Sequence, residues 1–234
     1  TNLSVDLMLG LPNQSVADFE QSLDEALRLG VEHISAYMLK VEKQTVFYNR
    51  KKKGTLTLPP EEDDVAMYDI LTERTKAYGL RQYELSNFGK PGYESKHNLV
   101  YWENQYYAGF GAGASGYEDR CRYQNINPIQ KYIDAIMERG EATYKKHDVS
   151  KAECLEEAVF LGLRKREGVQ KQSFYDTYGY KLDELFKEEI ATGVRKGLLH
   201  NSDESLSLTK EGLLLANEAF ELFVAALDES AYSY

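Results

Sequence analysis

The residues of this chain best suited to chemistry lie in His97-Asn98-Leu99-Val100-Tyr101-Trp102, just ahead of the glycine-rich stretch Gly109-Phe110-Gly111-Ala112-Gly113-Ala114-Ser115-Gly116. His97 is one of four histidines, and Trp102 is the single tryptophan. A neutral imidazole is a common axial donor to haem iron, and phenol or indole rings supply the flat apolar surface a planar iron macrocycle packs against. Tyr101, four residues on, is placed to stack or to hydrogen-bond. The same residue types also pin loops to a core, and the residues by themselves leave both roles open. Gly111 and Gly113 either let backbone approach a ligand closely or mark a crowded strand crossing. Their spacing lacks the helix-opening dinucleotide fingerprint, and no P-loop lysine accompanies it.

A second candidate lies at the start, in Val5-Asp6-Leu7-Met8-Leu9. Alternation along a strand puts Asp6 and Met8 on one face and Val5, Leu7 and Leu9 on the other. A carboxylate on an interior face accepts hydrogen bonds from a ribose or an amine; the plainer role is to fix a strand end through a turn. The remaining histidines are weaker candidates. His33 opens a strand, His147 falls in a linker, and His200 sits on a wing.

These residues need elements to hold them. Ser15 caps a helix with Asp18 at the capping-box position, Phe19, Leu23, Ala26 and Leu27 form its apolar stripe, and Gly30 ends it. Residues 33–39 read as a second strand, parallel to the first, which makes an α/β unit. Residues 40–60 read as an irregular excursion with the basic run Arg50-Lys51-Lys52-Lys53 and a Pro59-Pro60 break. Pro60 opens a helix with Glu61, Glu62, Asp63 and Asp64 in its first turn, and residues 81–85 read as a short strand. Residues 86–123 are too long for a plain connection and read as a functional loop region, with the glycines as a strand and tight turn near a ligand. Beyond Asn125 the pattern is helical: a helix from Pro128, a linker over 140–148, three helices across 151–194, a hairpin over 198–208 and a closing helix from Thr209. Three helices, a hairpin and a helix form a winged-helix-like arrangement. The expected organisation is two parts, residues 1–125 and 126–234.

The 234 residues suffice for a sizeable core. A net charge of −10 repels phosphate backbones, and the helix over 181–196 mixes acids with its bases, so nucleic acid is not an expected partner. No apolar run reaches membrane-spanning length, and the first residues carry no secretory signal pattern. Cys121 and Cys154 are isolated, which fits a reducing, cytoplasmic compartment. The 50–53 basic run is a solvated loop, or a contact for an anionic membrane surface or for haem propionates.

Four blocks resemble the radical S-adenosylmethionine family that includes oxygen-independent coproporphyrinogen III oxidase and its relative, the haem chaperone. They are residues 5–15, which resemble a late barrel strand and its turn; residues 33–42, which resemble the following strand; residues 83–102; and the helical end through Leu208-Thr209-Lys210-Glu211-Gly212. The His-Asn-x-x-Tyr-Trp pattern is similar to the chaperone branch, where it is implicated in haem binding. The resemblance implies the last strands of a partial (β/α) barrel followed by a mostly helical winged-helix-like domain. It implies S-adenosylmethionine contacts at Asp6, at Met8 and at the backbone of Met38, and haem contacts at His97, Tyr101 and Trp102, with His97 as the iron ligand. Gly111 and Gly113 are expected near the cofactor or the haem. The family's Cys-x-x-x-Cys-x-x-Cys motif, which holds a [4Fe-4S] cluster, is absent, so the chain is expected to be part of a longer protein. The implied function is haem binding and delivery to an acceptor haemoprotein, with a homodimer and peripheral membrane contact among the expected associations. The alternative is radical oxidative decarboxylation of coproporphyrinogen III.

Overall fold

The computed structural model describes residues 2–234 and forms two compact units, the first ending at Glu94 and the second beginning at Ser95.

The first unit is built on β1 (Ser4–Leu9), α1 (Val16–Arg28), β2 (His33–Met38), α2 (Val46–Lys52), α3 (Glu61–Ala77), β3 (Arg81–Gln82) and β4 (Asn87–Gly89). Its sheet has the order β1-β2-β4-β3. β1 and β2 run parallel, which requires a crossover, and α1 supplies it. β4 is antiparallel to both β2 and β3. The capping box forms as the spacing predicts: the Ser15 hydroxyl accepts from the Asp18 amide, and the Asp18 carboxylate accepts from the Ser15 amide. Phe19, Leu23 and Leu27 of α1 and Met67 and Leu71 of α3 pack with Leu9, Ile34, Ala36 and Phe88 of the sheet. One sheet face is thereby sealed. The segment expected to be irregular contains α2, which the Thr45 side chain caps by accepting from the Tyr48 amide.

The second unit contains α4 (Lys96–Trp102), β5 (Ser115–Glu118), β6 (Cys121–Asn125), α5 (Ile129–Arg139), β7 (Thr143–Asp148), α6 (Lys151–Gly162), β8 (Val169–Gln170), α7 (Lys171–Tyr178), α8 (Leu182–Leu185), α9 (Lys187–Arg195), β9 (Leu199–Asn201), β10 (Ser205–Leu208), α10 (Lys210–Leu214) and α11 (Ala216–Glu221). β5, β6 and β7 form one antiparallel sheet, and β8, β10 and β9 form another. The second sheet, with α6, α7 and the α8–α9 pair, is the winged-helix-like arrangement expected.

Four details differ from the sequence expectation. The His97 segment is a helix, α4, capped by the Ser95 hydroxyl. The linker over 140–148 is largely β7, a polar edge strand that exists because β6 pairs with it. The two long C-terminal helices are each broken, at Phe186 (φ −117°, ψ 38°) and Leu215 (φ −108°, ψ 33°). Composition changes after Asn125, but the β5-β6-β7 sheet continues through that point, and the compact units meet at Glu94 and Ser95 instead.

Gly168 has φ +67°, and a Cβ there would stand 2.1 Å from the Leu206 carbonyl oxygen; Gly179 has φ +81° with open space around it. Gly179→Ala is expected to cost about 1–2 kcal/mol, the usual penalty of a left-handed alanine. Gly168→Ala should cost distinctly more, because the strand carbonyl must also move. Urea denaturation midpoints of the two variants check the difference.

Candidate functional site

The first unit presents a polar sheet face opposite its core. The β1–β2 register sets Ser4 beside His33, Asp6 beside Ser35 and Met8 beside Tyr37, and β4 adds Asn87 beside Ser35. Asp6 and Met8 are exposed on this face, as their alternation predicts. Met38 pairs in register with Leu9 and so belongs to the other face. It shares with Met8 the C-terminal end of the strands.

His33, which the sequence reading passed over as a strand opener, is the organising residue of this face. Its ring is buried, with Nδ1 2.9 Å from the Ser4 hydroxyl and Nε2 2.8 Å from the Tyr83 hydroxyl. Burial pushes the imidazole pKa down, against the opposing charges of Asp6 and Glu94. Nearby, the Asn87 amide donates to the Glu84 carboxylate. The Asn87 Oδ1 atom is buried without a hydrogen-bond partner among the described residues. A face with an exposed carboxylate, hydroxyls and an unsatisfied amide oxygen suits a ligand rich in hydrogen-bonding groups.

The second unit positions the histidine motif on α4. His97 and Tyr101 are one helical turn apart, so they meet. The Tyr101 hydroxyl and His97 Nε2 are 2.7 Å apart, and the rings meet edge-on at 4.9 Å. His97 is exposed. Tyr101 in turn packs edge-on against Tyr107 at 4.6 Å. Trp102, five residues from His97, is turned to a different side of the helix, where the Arg164 guanidinium lies 4.2 Å from its ring centroid. It lines a cavity of about 410 Å³ together with Phe174, Tyr178 and Lys165. Thus Tyr101 meets His97 on one side and the Trp102 ring, edge-on at 6.4 Å, on the other, while Trp102 also lines the neighbouring cavity.

The glycines have a conformational explanation. Gly111 and Gly113 have φ +97° and +73°. A Cβ on Gly113 would stand 2.8 Å from Asn127 Oδ1, and one on Gly116 would overlap the Tyr123 ring. The Asn125 side-chain amide donates to the carbonyls of Gly109 and Gly111. The backbone is therefore crowded at Gly113 and Gly116, while the Cβ position of Gly111 is open. His147, expected in a linker, lies on β7 with Nε2 2.9 Å from Glu153. His200 lies on β9 of the wing.

Among the described residues no group of three histidine, cysteine or acidic side chains could hold a metal ion. Cys121 and Cys154, on β6 and α6, cannot supply the three thiolates of a [4Fe-4S] site. Nor is any helix long and apolar enough to cross a membrane.

Comparison with known proteins gives this geometry a context. The model of the HemN C-terminal domain matches residues 149–215, the segment running from α6 into α10. The chain resembles the solved coproporphyrinogen III oxidase HemN of Escherichia coli, described as a radical SAM enzyme, with a TM-score of 0.76 and 17% identity, over 97% of this chain and 56% of that one. At that identity the likeness concerns the fold. The sequence is similar to the haem chaperones HemW: 49% identical to that of Bacillus subtilis over 97% of this chain, and 37% identical to that of Lactococcus lactis over 95%. The chain spans 60% and 58% of the length of those two relatives. It is also 33% identical, over 97% of this chain, to the mitochondrial radical S-adenosyl methionine domain-containing protein 1 of Danio rerio.

His33 generates a pH prediction. Its pKa in the folded chain lies below the ordinary 6.5, so the unfolded chain binds the proton more readily. The stability it contributes is therefore complete above pH 6.5 and is lost as pH falls from there through the folded pKa. Urea denaturation at several pH values should show this decline, and His33→Gln should flatten it.

Proposed function

We propose that this chain is the haem-handling portion of a haem chaperone, binding haem at His97 and passing it to an acceptor haemoprotein. The observation that carries this reading is its similarity, across 97% of its length, to a haem chaperone. The geometry of α4 supports it: His97 offers an exposed imidazole, and Tyr101 orients the ring through Nε2. Trp102 contributes by holding α4 against the helix that follows Arg122's sheet, rather than by facing the cargo. Gly111 and Gly113 shape the nearby chain without contacting the cargo through side chains.

The polar face of the first unit is where S-adenosylmethionine would be held. Asp6 would accept from its ribose or amine, Met8 would lie against it, and the Met38 backbone would meet the adenine. Radical chemistry on that cofactor would need one electron from a donor that these residues do not hold. The [4Fe-4S] cluster of the family does not fit the residues present, which offer two separate cysteines. The reading includes a cytoplasmic site of action and no nucleic acid. Self-association and contact with an anionic membrane surface through the exposed basic residues of α2 are also part of it. Decarboxylation of coproporphyrinogen III is favoured by the likeness in fold alone.

Titration with haem, followed in the Soret region, tests this. The wild-type chain should give a saturable, shifted band, and His97→Ala should weaken binding by at least about tenfold, the loss of roughly 1.4 kcal/mol or more. Tyr101→Phe should retain the band. A folded chain that gives no specific band, or His97→Ala that binds as the wild type, would overturn the assignment. Turnover of coproporphyrinogen III by a reconstituted family-length protein would instead favour the oxidase.

A further inference from the structure

We infer that a groove on the β5-β6-β7 sheet is a carboxylate-binding site for the propionate edge of the tetrapyrrole whose iron His97 takes. This rests on the haem-handling reading and extends it to residues of a different element.

The His97 ring touches Tyr101, Tyr101 packs against Tyr107, and Tyr107 lines the groove, a cavity of about 410 Å³. Tyr107 is tied to the sheet by reciprocal backbone hydrogen bonds with Tyr117, each 2.8 Å. The ring path from the imidazole thus leads into the groove within one compact unit.

The chemistry of the groove follows from strand register. β6 and β7 pair Gln124 with Lys145 and Arg122 with His147. Residues two apart share a face, so all four side chains project to one side. Ser115 of β5, opposite Gln124, adds a hydroxyl. Three of these groups are cations or potential cations, but they differ in what they meet. Arg122 is paired with Glu157 at 2.7 Å, and His147 with Glu153 at 2.9 Å. Lys145 lies within ion-pair distance of no carboxylate among the described residues. In a chain of net charge −10, it is an exposed cation lining a groove whose Arg122 and His147 already engage Glu157 and Glu153.

A carboxylate accepts hydrogen bonds and donates none. Here it meets the Lys145 ammonium, the Ser115 hydroxyl and the Gln124 amide, three donors of the kind it requires. The rings of Tyr101 and Tyr107 form the chain of contacts from His97 to the groove that these donors line. A ligand that satisfies both ends is flat, apolar in its middle and acidic at one edge. That describes a propionate-bearing macrocycle, and it distinguishes such a cargo from an esterified or carboxylate-free analogue.

The test compares iron protoporphyrin IX with its dimethyl ester, titrated by Soret absorbance into the wild-type chain, Lys145→Met and His97→Ala. The wild type should prefer the free acid by about five- to tenfold, the scale of an exposed ion pair supported by hydrogen bonds. Lys145→Met should weaken the acid and leave the ester unchanged, bringing the preference close to unity while keeping the wild-type band position. His97→Ala should weaken both compounds together. Equal wild-type affinity for acid and ester overturns this inference while the haem reading stands. So does Lys145→Met binding both as the wild type does, or losing both equally, which marks a merely structural lysine. A wild-type chain that binds neither compound overturns the haem reading and this inference with it.

Discussion

The second unit depends on one ion pair. Arg122, on β6, donates to both carboxylate oxygens of Glu157 on α6, at 3.1 and 2.7 Å, while its guanidinium lies 4.3 Å from the Tyr117 ring centroid. Both partners are largely removed from solvent, so removing either one would leave a charge poorly solvated. The pair locks the β5-β6-β7 sheet to α6. The same helix reaches the other parts of the unit. Its Glu153 meets His147, and its Glu156, buried, accepts the backbone amides of Ala225 and Leu227. Leu155 and Val159 are fully buried along it. Arg164, just past its end, covers Trp102 of α4. One helix therefore sets the position of the sheet, of the histidine motif and of the chain beyond the wing.

In the first unit the governing constraint is different. Two helices seal one side of a short sheet, so polar groups fall on the other side by alternation alone. This is why Asp6 and Met8 could be placed from Val5-Asp6-Leu7-Met8-Leu9 without coordinates. The capping box at Ser15 and Asp18 was equally legible, because its chemistry spans four residues. His33 was not. Its significance comes from Ser4 and Tyr83, 29 and 50 residues away, which only strand pairing brings to the ring.

The same distinction explains the second unit. The wing hairpin announced itself through the polar tip between Leu199 and Leu206. The breaks at Phe186 and Leu215 did not, since both are helix-compatible residues whose local backbone yields to packing; Phe186 is wholly buried. α4 escaped notice because it is seven residues long and aromatic, and a short helix owes its stability to what it packs against. Had it been read as a helix, the five-residue spacing would have separated Trp102 from His97 at once. β7 has no alternating pattern, because nearly all of it is exposed. Lys145 and His147 acquire a common face only from the pairing with β6. Likewise Gly111 and Gly113 look like a ligand-binding signature in sequence, whereas the crowding of Gly113 against Asn127 and the Asn125 hydrogen bond to the Gly111 carbonyl belong to the fold.

The hydrogen bond between Tyr101 and His97 has a consequence for how firmly any iron would be held. Nε2 is already engaged by a phenol, whichever tautomer the ring adopts. A metal that takes that nitrogen must first displace the hydroxyl, forfeiting an interaction worth about 0.5–1.5 kcal/mol. When the metal leaves, the tyrosine is one helical turn away and returns at once. The imidazole is thus a donor with a resident competitor at Nε2, which lowers the net affinity of that one nitrogen for a metal while orienting the ring.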